Sequence, residues 1–523
     1  MNRIIVCPEP LAAVAGAEIL RAGGSAIDAA LATAYAQTVV SPAMTTIAGS
    51  GVMNIYHAPS RRNVIVDFLD QAGSRAHADM FADTPNGEIL FGYRSMLVPT
   101  FVRGTQLAFE QFGSGRVSWQ ALLAPAIRYA EEGFTVYPYF HQYWRADHPV
   151  LQTAAPFDGY GMLSTTPACA AIFTREGRVP HVGERLIQPD LTRTLRRLAT
   201  EGPDDFYTGQ IGRTMAADFE RNESPVTSMD LAEYRAQIRE PLRGSYRGLT
   251  VSTDPPPAVG ALLVELLNVL ECCDVRALSQ ESAAYYDVLA RALFLVFSDR
   301  ISYAGADADS TRVAALTSKT HAAQVWRRMG AVPRRAPQPP SHLAGTTQVT
   351  TYDDEGSAVS MTHTVCFGSG VVTPGLGFMH NNGMCMFDRR RGQPNSIAPR
   401  KRPVAGGGPA LLFDGDALRF ALGSPHGGRK ISSMAHVLMN LLEFGLSPAA
   451  AVASARIHCE QDPSELRVDP FFPLDTRERL ERLGYDVSED AYGGRVCLVA
   501  VDPRTREATG ASDPRGGGGL IEM

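Results

Sequence analysis

The sequence lacks the features that mark several classes of protein. Its 523 residues contain no apolar run approaching the about 18 residues of a membrane-spanning helix. No block of like charge is long enough to suggest a surface for nucleic acid or for a membrane, and the formal net charge is only -6. We therefore expect neither a nucleic acid nor a membrane as a partner.

Cysteine is scarce and scattered. The eight cysteines form no CxxC pair, which argues against both a metal site and a disulfide framework. We expect buried free thiols in a reducing compartment, no metal and no cofactor. Residues 1–9 contain an apolar run of only four residues, too short for a secretory signal. These observations together favour a cytoplasmic location.

What is present is ordinary for a globular enzyme or binding protein, with 45% hydrophobic and 20% charged residues. Helical patterns dominate the front, 330–345 reads as a linker, and β patterns follow residue 346. Two domains, or one layered α/β unit closed around a hairpin, both fit this order. Helices are predicted at 8–37 (broken at Gly23-Gly24), 118–135, 190–200, 210–221, 262–270, 281–300, 431–444 and 475–484, and strands at 52–56, 64–68, 349–352, 358–365, 410–413, 418–422 and 496–501.

The stretch with the most chemical content is Gly345-Thr346-Thr347, at the mouth of the predicted hairpin. A threonine hydroxyl is a weak nucleophile until a base removes its proton. The α-amino group of the same residue can be that base, but it exists only if the chain is cut just before it. Taken alone, the stretch is common, and an exposed threonine-rich edge strand is its ordinary interpretation.

A series of motifs runs in order along nearly the whole chain: Pro10-Leu11-Ala12, Gly23-Gly24, Asp28-Ala29-Ala30, Leu122–Ile127, Ala130–Phe134, Gln188–Leu191, Phe206–Gly209, Tyr246–Gly248, Leu267–Glu271, Asp299-Arg300, Arg402-Pro403, Gly423–Pro425 and Gly510–Arg515. With these motifs the chain resembles the γ-glutamyltransferase family of N-terminal nucleophile hydrolases. The resemblance implies an α+β fold, a four-layer αββα sandwich with a helix-rich N-terminal part.

The same resemblance implies maturation and roles. Self-cleavage between Gly345 and Thr346 would give a large subunit, 1–345, and a small one, 346–523, that stay associated as a heterodimer or as a dimer of heterodimers. Thr346 would be the nucleophile and its freed amine the general base. Thr364 matches the threonine that orients the nucleophile. The expected partner is a small-molecule substrate.

The segment Gly423-Ser424-Pro425-His426-Gly427-Gly428 is similar to the family's oxyanion loop, in which consecutive backbone amides bind the developing negative charge. His426 stands where the family has glycine, beside Gly427. Its imidazole either adds a donor or proton relay to the site or points away into solvent.

The chain departs from the family where the glutamyl group is bound. Leu69, followed by Asp70, replaces the arginine that holds the glutamyl carboxylate, and Ala405 and Gly406 replace the two serines that help it. Met386 replaces the aspartate that binds the glutamyl amino group, and Cys366 stands near the position of a helper asparagine. Each lost charged hydrogen bond is worth roughly 1.5–3 kcal/mol. We therefore expect a retained hydrolase with a changed acyl pocket, for an acyl group that is flatter and less charged than glutamyl.

Four functions fit these observations. The first is a self-processed hydrolase of a non-glutamyl amide, and the second hydrolyses an activated carbon–carbon bond in specialised metabolism such as antibiotic biosynthesis. The third is a genuine glutathione hydrolase or transpeptidase, and the fourth is an unprocessed pseudoenzyme. The sequence does not identify the substrate, the leaving group or the choice between hydrolysis and transfer.

Overall fold

The structure is a computed structural model that describes residues 2–82, 84, 89–144, 159–300, 309–331, 345–460, 462–489 and 493–523. Most of the predicted linker, 332–344, lies outside these residues. The strands are β1 (Ile4–Cys7), β2 (Ser50–His57), β3 (Arg62–Phe68), β4 (Phe134–Thr135), β5 (Arg185–Leu186), β6 (Gln237–Arg239), β7 (Leu242–Tyr246), β8 (Leu249–Thr253), β9 (Gly345–Tyr352), β10 (Ala358–Cys366), β11 (Ala410–Asp414), β12 (Ala417–Gly423), β13 (Ile457–His458), β14 (Glu465–Val468), β15 (Asp486–Glu489), β16 (Cys497–Val501), β17 (Ala508–Ser512) and β18 (Gly519–Glu522).

Helices begin where the sequence offers caps. At the predicted break after Gly23-Gly24, Ser25 and Asp28 form a capping box that starts the second helix. The α-helices are α1 (Pro10–Arg21), α2 (Ala26–Val40), α3 (Phe101–Phe112), α4 (Trp119–Glu132), α5 (Pro138–His141), α6 (Gly159–Leu163), α7 (Pro167–Phe173), α8 (Pro189–Glu201), α9 (Gln210–Arg221), α10 (Ser228–Glu233), α11 (Gly260–Glu271), α12 (Ala283–Asp299), α13 (Ser310–Leu316), α14 (Lys319–Arg328), α15 (Arg429–Leu442), α16 (Pro448–Ala453) and α17 (Leu474–Arg482).

Two large sheets organise these elements. The first has seven strands in the order β18-β1-β9-β10-β2-β3-β6, and the second has six in the order β17-β16-β12-β11-β8-β7. Strands β6, β7 and β8 fall in 237–253, a region whose composition predicted mainly helix. They are short and lie at or near the ends of the two sheets, where sheet pairing outweighs weak local preference.

The sheets pack face to face and carry helices on their outer sides. Ile4 and Tyr352 of the first sheet share an apolar cluster with Leu411 and Val499 of the second. One helical layer, with α1, α2 and α4, packs on the first sheet, and another, with α11, α12 and α15, packs on the second. This arrangement confirms the four-layer αββα sandwich. None of the helices in the described ranges is long and apolar enough to cross a membrane.

The hairpin β9–β10 lies in the middle of the first sheet. Its turn is fixed by Asp353, whose carboxylate accepts hydrogen bonds from the amides of Ser357 at 2.9 Å and Ala26 at 2.7 Å. Because β9 pairs with β1 on one side and β10 on the other, the interpretation as an exposed edge strand is wrong.

The expectation of buried thiols is partly wrong. All eight cysteines are free, and six are buried, but Cys272 is exposed and Cys273 is half-buried at the end of α11.

Candidate active site

A bulge in the hairpin brings the two functional threonines together. His363 pairs with Thr347, but the next pair is Cys366 with Gly345, so β10 carries one extra residue across this step. A bulge of this kind redirects side chains and bends its strand. Here it places Thr364 beside Thr346, as the hairpin prediction required.

Thr346 is 2% exposed, and its hydroxyl lies next to the bond expected to be cut. Its Oγ1 lies 2.7 Å from the carbonyl oxygen of Gly345 and 3.4 Å from Oγ1 of Thr364. The Thr364 hydroxyl donates a hydrogen bond to the same Gly345 oxygen and accepts one from the Cys366 amide at 2.7 Å. Two hydroxyls therefore converge on one carbonyl group.

Behind Thr346, the second threonine enters a buried set of hydrogen bonds that we call the threonine support network: Thr347, Glu9, Gln37, His363 and Thr45. The Thr347 hydroxyl lies 2.9 Å from a carboxylate oxygen of Glu9 and accepts from Nε2 of Gln37 at 2.9 Å. Gln37 Nε2 also reaches Glu9 at 2.6 Å. Burial raises the pKa of Glu9, and the hydrogen bonds from Gln37 and Thr347 oppose this rise.

The direction of the network follows from its chemistry. Gln37 Oε1 can only accept, so Nε2 of His363, 2.7 Å away, carries the proton. Nδ1 of His363 then accepts from the Thr45 hydroxyl at 2.8 Å. Burial lowers the pKa of His363 to about 3, so the ring is neutral. The network links β9, β10 and α2 through side-chain hydrogen bonds, and its imidazole stays uncharged.

The residue after the two threonines supports the expected oxyanion loop. Gln348 donates to the Ser360 hydroxyl at 2.9 Å and accepts from Thr362 at 2.7 Å. Its amide lies against Gly423, where an added Cβ would stand only 2.3 Å from Gln348 Nε2. Glycine at 423 thus lets the start of the loop approach the nucleophile strand.

His426 is buried in the loop rather than directed to solvent, with 2% of its surface exposed. Its ring stacks on Tyr143 at 5.4 Å between centroids, and its Nε2 hydrogen-bonds to the Tyr143 hydroxyl and to Arg495. Its φ of 79° lies in the left-handed region that glycine adopts at lowest cost. The solvent alternative is therefore wrong. Catalytic roles for His426 and Gly427 stay predictions.

The residues expected at glutamyl-binding positions form what we call the acyl wall: Leu69, Asp70, Cys366, Met386, Ala405 and Gly406. Leu69 and Ala405 belong to one small apolar cluster with Val52, Ile65 and Ala258. Both are almost fully buried, at 3% and 1% exposure. The fold thus brings together two of the substituted positions in an apolar cluster that is almost fully buried.

Polar groups of the acyl wall lie next to this apolar cluster. Asp70 is 3% exposed and accepts from the Ser50 hydroxyl at 2.7 Å, while its Oδ1 has no hydrogen-bond partner among the described residues. Burial raises the pKa of Asp70 to about 6. A hydrogen bond with the Cys385 thiol, together with burial, raises the pKa of the Cys366 thiol.

Gly406 of the acyl wall contacts a buried lysine. The Lys430 ammonium donates a hydrogen bond to the carbonyl of Gly406, and Lys430 is 1% exposed. Burial lowers the pKa of Lys430 to about 8, and the neighbouring Asp254 opposes this. Met386 is half-buried at the end of a short 3-10 turn, Gly383–Met386.

Sequence reasoning missed Glu9, Gln37, His363, Gln348 and Lys430. Four of them meet partners far along the chain, and Glu9 and Thr347 are separated by 338 positions. The one local signal was Gln348, which directly follows the threonine pair.

A separate group, Glu265, Asp299 and His321, has the composition of a metal site, with its ligand atoms within 4.8 Å of one another. Nε2 of His321 lies 3.1 Å from Glu265 and 3.0 Å from Asp299. The cluster ties α11, α12 and α14 together through these contacts.

Comparison with known proteins agrees with the geometry. The gamma-glutamyltranspeptidase family model matches residues 12–523. The glutathione hydrolase proenzyme of Escherichia coli (strain K12) is 31% identical over 96% of this chain and 88% of its own length. The acylase ACY 1 proenzyme of Pseudomonas sp. (strain V22) is 36% identical over 96% of this chain and 90% of its own.

A solved structure carries the same fold. The cephalosporin acylase from Bacillus halodurans superposes with a TM-score of 0.89 at 28% identity, covering 100% of this chain and 96% of that one.

Proposed function

Since the chain belongs to the gamma-glutamyltranspeptidase family of N-terminal nucleophile hydrolases, we propose that it cuts itself between Gly345 and Thr346 and then hydrolyses a non-glutamyl amide through Thr346. The observation that supports self-cleavage is the pair of threonine hydroxyls on the Gly345 carbonyl. The observation that supports a non-glutamyl acyl group is the apolar cluster at Leu69 and Ala405.

Self-cleavage proceeds by an acyl shift. Oγ1 of Thr346 attacks the carbonyl carbon of Gly345, the C–N bond breaks, and the nitrogen of Thr346 takes the proton. The Thr364 hydroxyl stabilises the negative charge that develops on the carbonyl oxygen. Water then hydrolyses the resulting ester, leaving a free α-amino group on Thr346.

The two products remain together because their strands alternate in one sheet. After cleavage β10 and all of β9 except Gly345 belong to residues 346–523, while β1 and β2 on either side belong to residues 1–345. Separating the subunits would expose both edges of this hairpin and the apolar core beneath it.

In the mature enzyme, the free amine of Thr346 accepts the hydroxyl proton, since an α-amino group titrates at about pH 8. Oγ1 attacks the substrate carbonyl, the amine leaving group departs with a proton, and water releases the acyl group. The threonine support network keeps the nucleophile strand fixed during both steps.

The substituted wall argues against the glutamyl group itself. A glutamyl α-carboxylate and α-ammonium would have to leave water beside the apolar cluster of Leu69 and Ala405. Leu69 offers the carboxylate no charged hydrogen bond, and the loss of one such bond is unfavourable by roughly 1.5–3 kcal/mol. The similarity to an acylase at 36% identity supports an amide substrate with another acyl group.

The experiment uses the purified full chain. A denaturing gel and intact-mass measurement should show two fragments split at Gly345–Thr346. Brief incubation with a panel of acyl p-nitroanilides, followed by peptide mass analysis, should place the acyl group on Thr346. γ-Glutamyl-p-nitroanilide should turn over slowly.

Other outcomes would support the alternatives. A single uncut chain of 56.4 kDa without turnover would favour a non-catalytic protein. Brisk turnover of γ-glutamyl-p-nitroanilide would favour a glutathione hydrolase. A carbon acid instead of an amine among the products of the natural substrate would identify a carbon–carbon bond hydrolase.

A further inference from the structure

The cluster of Glu265, Asp299 and His321, which the reaction proposed for Thr346 does not use, joins three helices. Glu265 lies in the middle of α11, Asp299 is the last residue of α12, and His321 is in the first turn of α14. The backbone of His321 is fixed at the start of its helix, because its amide donates to the Ser318 hydroxyl at 3.1 Å. Separate elements therefore hold three ligand-type side chains at one point of the fold.

The contacts within the cluster need more protons than its ionised groups carry. Nε2 of His321 faces one carboxylate oxygen of Glu265 at 3.1 Å and one of Asp299 at 3.0 Å, although a ring nitrogen carries at most one hydrogen. Glu265 and Asp299 also contact each other through a hydrogen bond, which requires a further proton because ionised carboxylates only accept. A divalent cation at the point where the three side chains meet would replace these protons and balance both carboxylates.

The basic residues that neighbour the cluster in the sequence are engaged elsewhere. Lys319 donates to Glu271, and Arg300 pairs with Glu460 at 3.5 Å. The strongest electrostatic influences on Glu265 come from the other two members of the cluster. Because two carboxylates in contact repel each other and one of them is buried, this arrangement is costly unless a cation joins it.

The distances and the burial of the cluster fit an ion that enters from solvent. A tetrahedral Zn²⁺ with bonds of about 2.0–2.2 Å separates neighbouring ligand atoms by about 3.3–3.6 Å, so the atoms around Nε2 of His321 would move apart by only a few tenths of an ångström. The Glu265 side chain is 0% exposed, whereas those of His321 and Asp299 are 18% and 27% exposed. Protein thus closes the inner side of the cluster, and the outer side leaves a fourth position for water.

We propose that Glu265, Asp299 and His321 bind a divalent transition-metal ion, for which Zn²⁺ is the probe, and that this ion fastens α14 to α11 and α12. One imidazole and two carboxylates are ligands that Zn²⁺ accepts. The expectation of no metal came from the spacing of the cysteines, and it has no bearing on these ligands. They are separated from His321 by 56 and 22 positions, so no local motif reveals them.

The test measures Zn²⁺ binding to the full chain after treatment with a chelator and removal of the chelator. Elemental analysis after dialysis should find one more Zn²⁺ per chain in the wild type than in His321→Gln, which keeps a hydrogen-bond donor but lacks the imidazole. Calorimetry should show an affinity about a hundredfold lower or less in His321→Gln, since even the partners of metal ligands are worth about 10–100-fold. The matched control is His77→Gln, because His77 is exposed, and this variant should bind Zn²⁺ as the wild type does.

Thermal unfolding provides the second readout. With Zn²⁺ a hundredfold above its Kd, the Tm of the wild type and of His77→Gln should rise by about 2 °C, and that of His321→Gln should not change. Absence of Zn²⁺ binding in the wild type would overturn the proposal, and so would equal binding by the wild type and His321→Gln. If His321→Gln does not fold, Asp299→Asn at the partly exposed end of α12 takes its place, and unchanged stoichiometry and affinity in that variant would overturn the proposal equally.

Discussion

The threonine support network and the acyl wall are built differently. In the network, the side chains of Thr347, Gln37 and His363 are buried, and each hydrogen-bonds to another member. In the wall, an apolar cluster adjoins Asp70, whose Oδ1 has no hydrogen-bond partner among the described residues. The side chains of the network therefore satisfy one another's hydrogen bonds, whereas the wall leaves one buried carboxylate oxygen without a partner in the described part of the chain.

We therefore expect the two regions to have different tasks: the threonine support network fixes how the bond is attacked, and the acyl wall selects which bond is attacked. A buried polar network is rigid only when all its members are satisfied, which suits the fixed geometry of a nucleophile. A recognition surface must leave donors and acceptors for its ligand. The positions predicted to bind the glutamyl group belong to the second region.

The largest effect is expected when the nucleophile that the threonine support network holds is removed. Thr346→Ala should abolish self-cleavage and lower turnover at least about a thousandfold, because both the nucleophile and its base depend on this residue. A denaturing gel and an anilide assay measure this. The control is Thr351→Ala on the same strand, whose hydroxyl donates to the Ala26 carbonyl at 2.8 Å and which should still be cut. Cleavage at the same bond in Thr346→Ala would contradict the assignment.

The next prediction concerns Asp70 of the acyl wall and the pH dependence of the free energy of unfolding. The pKa of Asp70 is raised from 3.8 to about 6 by burial, which outweighs the opposing hydrogen bond from Ser50. A carboxyl group with a raised pKa favours the folded state while protonated, so stability falls as pH rises from about 4 to 6. Asp70→Asn should remove this fall and be more stable than Asp70 by about 3 kcal/mol at pH 7.5.

Chemical unfolding at pH 4 and pH 7.5, with Thr346→Ala in both proteins to keep one uncut chain, measures this difference. Cys366, which lies close to Asp70, remains unchanged in both proteins. A stability difference that is equal at the two pH values would show that ionisation of Asp70 does not contribute.

A third change tests how closely the expected oxyanion loop packs on β9, the strand that the threonine support network holds in place. Gly423→Ala would place a methyl group 2.3 Å from the Gln348 amide and should destabilise the protein by about 1–3 kcal/mol while slowing self-cleavage. Thermal unfolding and the time course of cleavage measure the two effects. Gly330→Ala is the control, because a Cβ at Gly330 meets nothing within 4 Å. Normal cleavage and stability in Gly423→Ala would argue against close packing of the loop on β9.

The smallest effect is expected at His426. His426→Gly should keep the backbone amide and relieve the cost of a φ of 79°, while losing contacts with Tyr143 and Arg495. These changes oppose each other, so we expect kcat/KM to fall by less than about tenfold. Steady-state kinetics on a folded sample measure this. A loss beyond about a hundredfold would instead assign the imidazole a part in catalysis.

Much of the fold was predictable because its signals are local. Alternating apolar residues predicted β2 and β3, and the caps at Ser25 and Asp28 predicted the start of α2. The missed strands β6, β7 and β8 are short and carry weak local patterns, so that only pairing in the sheets specifies them. The cytoplasmic location stays a prediction.

The sequence by itself determined that Thr346 is the candidate nucleophile and that Leu69, Ala405 and Met386 no longer match glutamyl-binding residues, because residue types at fixed motif positions carry that information. The tertiary structure decided the rest. It placed Glu9 on Thr347, made Leu69 and Ala405 neighbours, and seated Lys430 against Gly406. These contacts join distant parts of the chain, and the energies that set them come from burial and hydrogen bonding in the folded protein, not from local sequence preference.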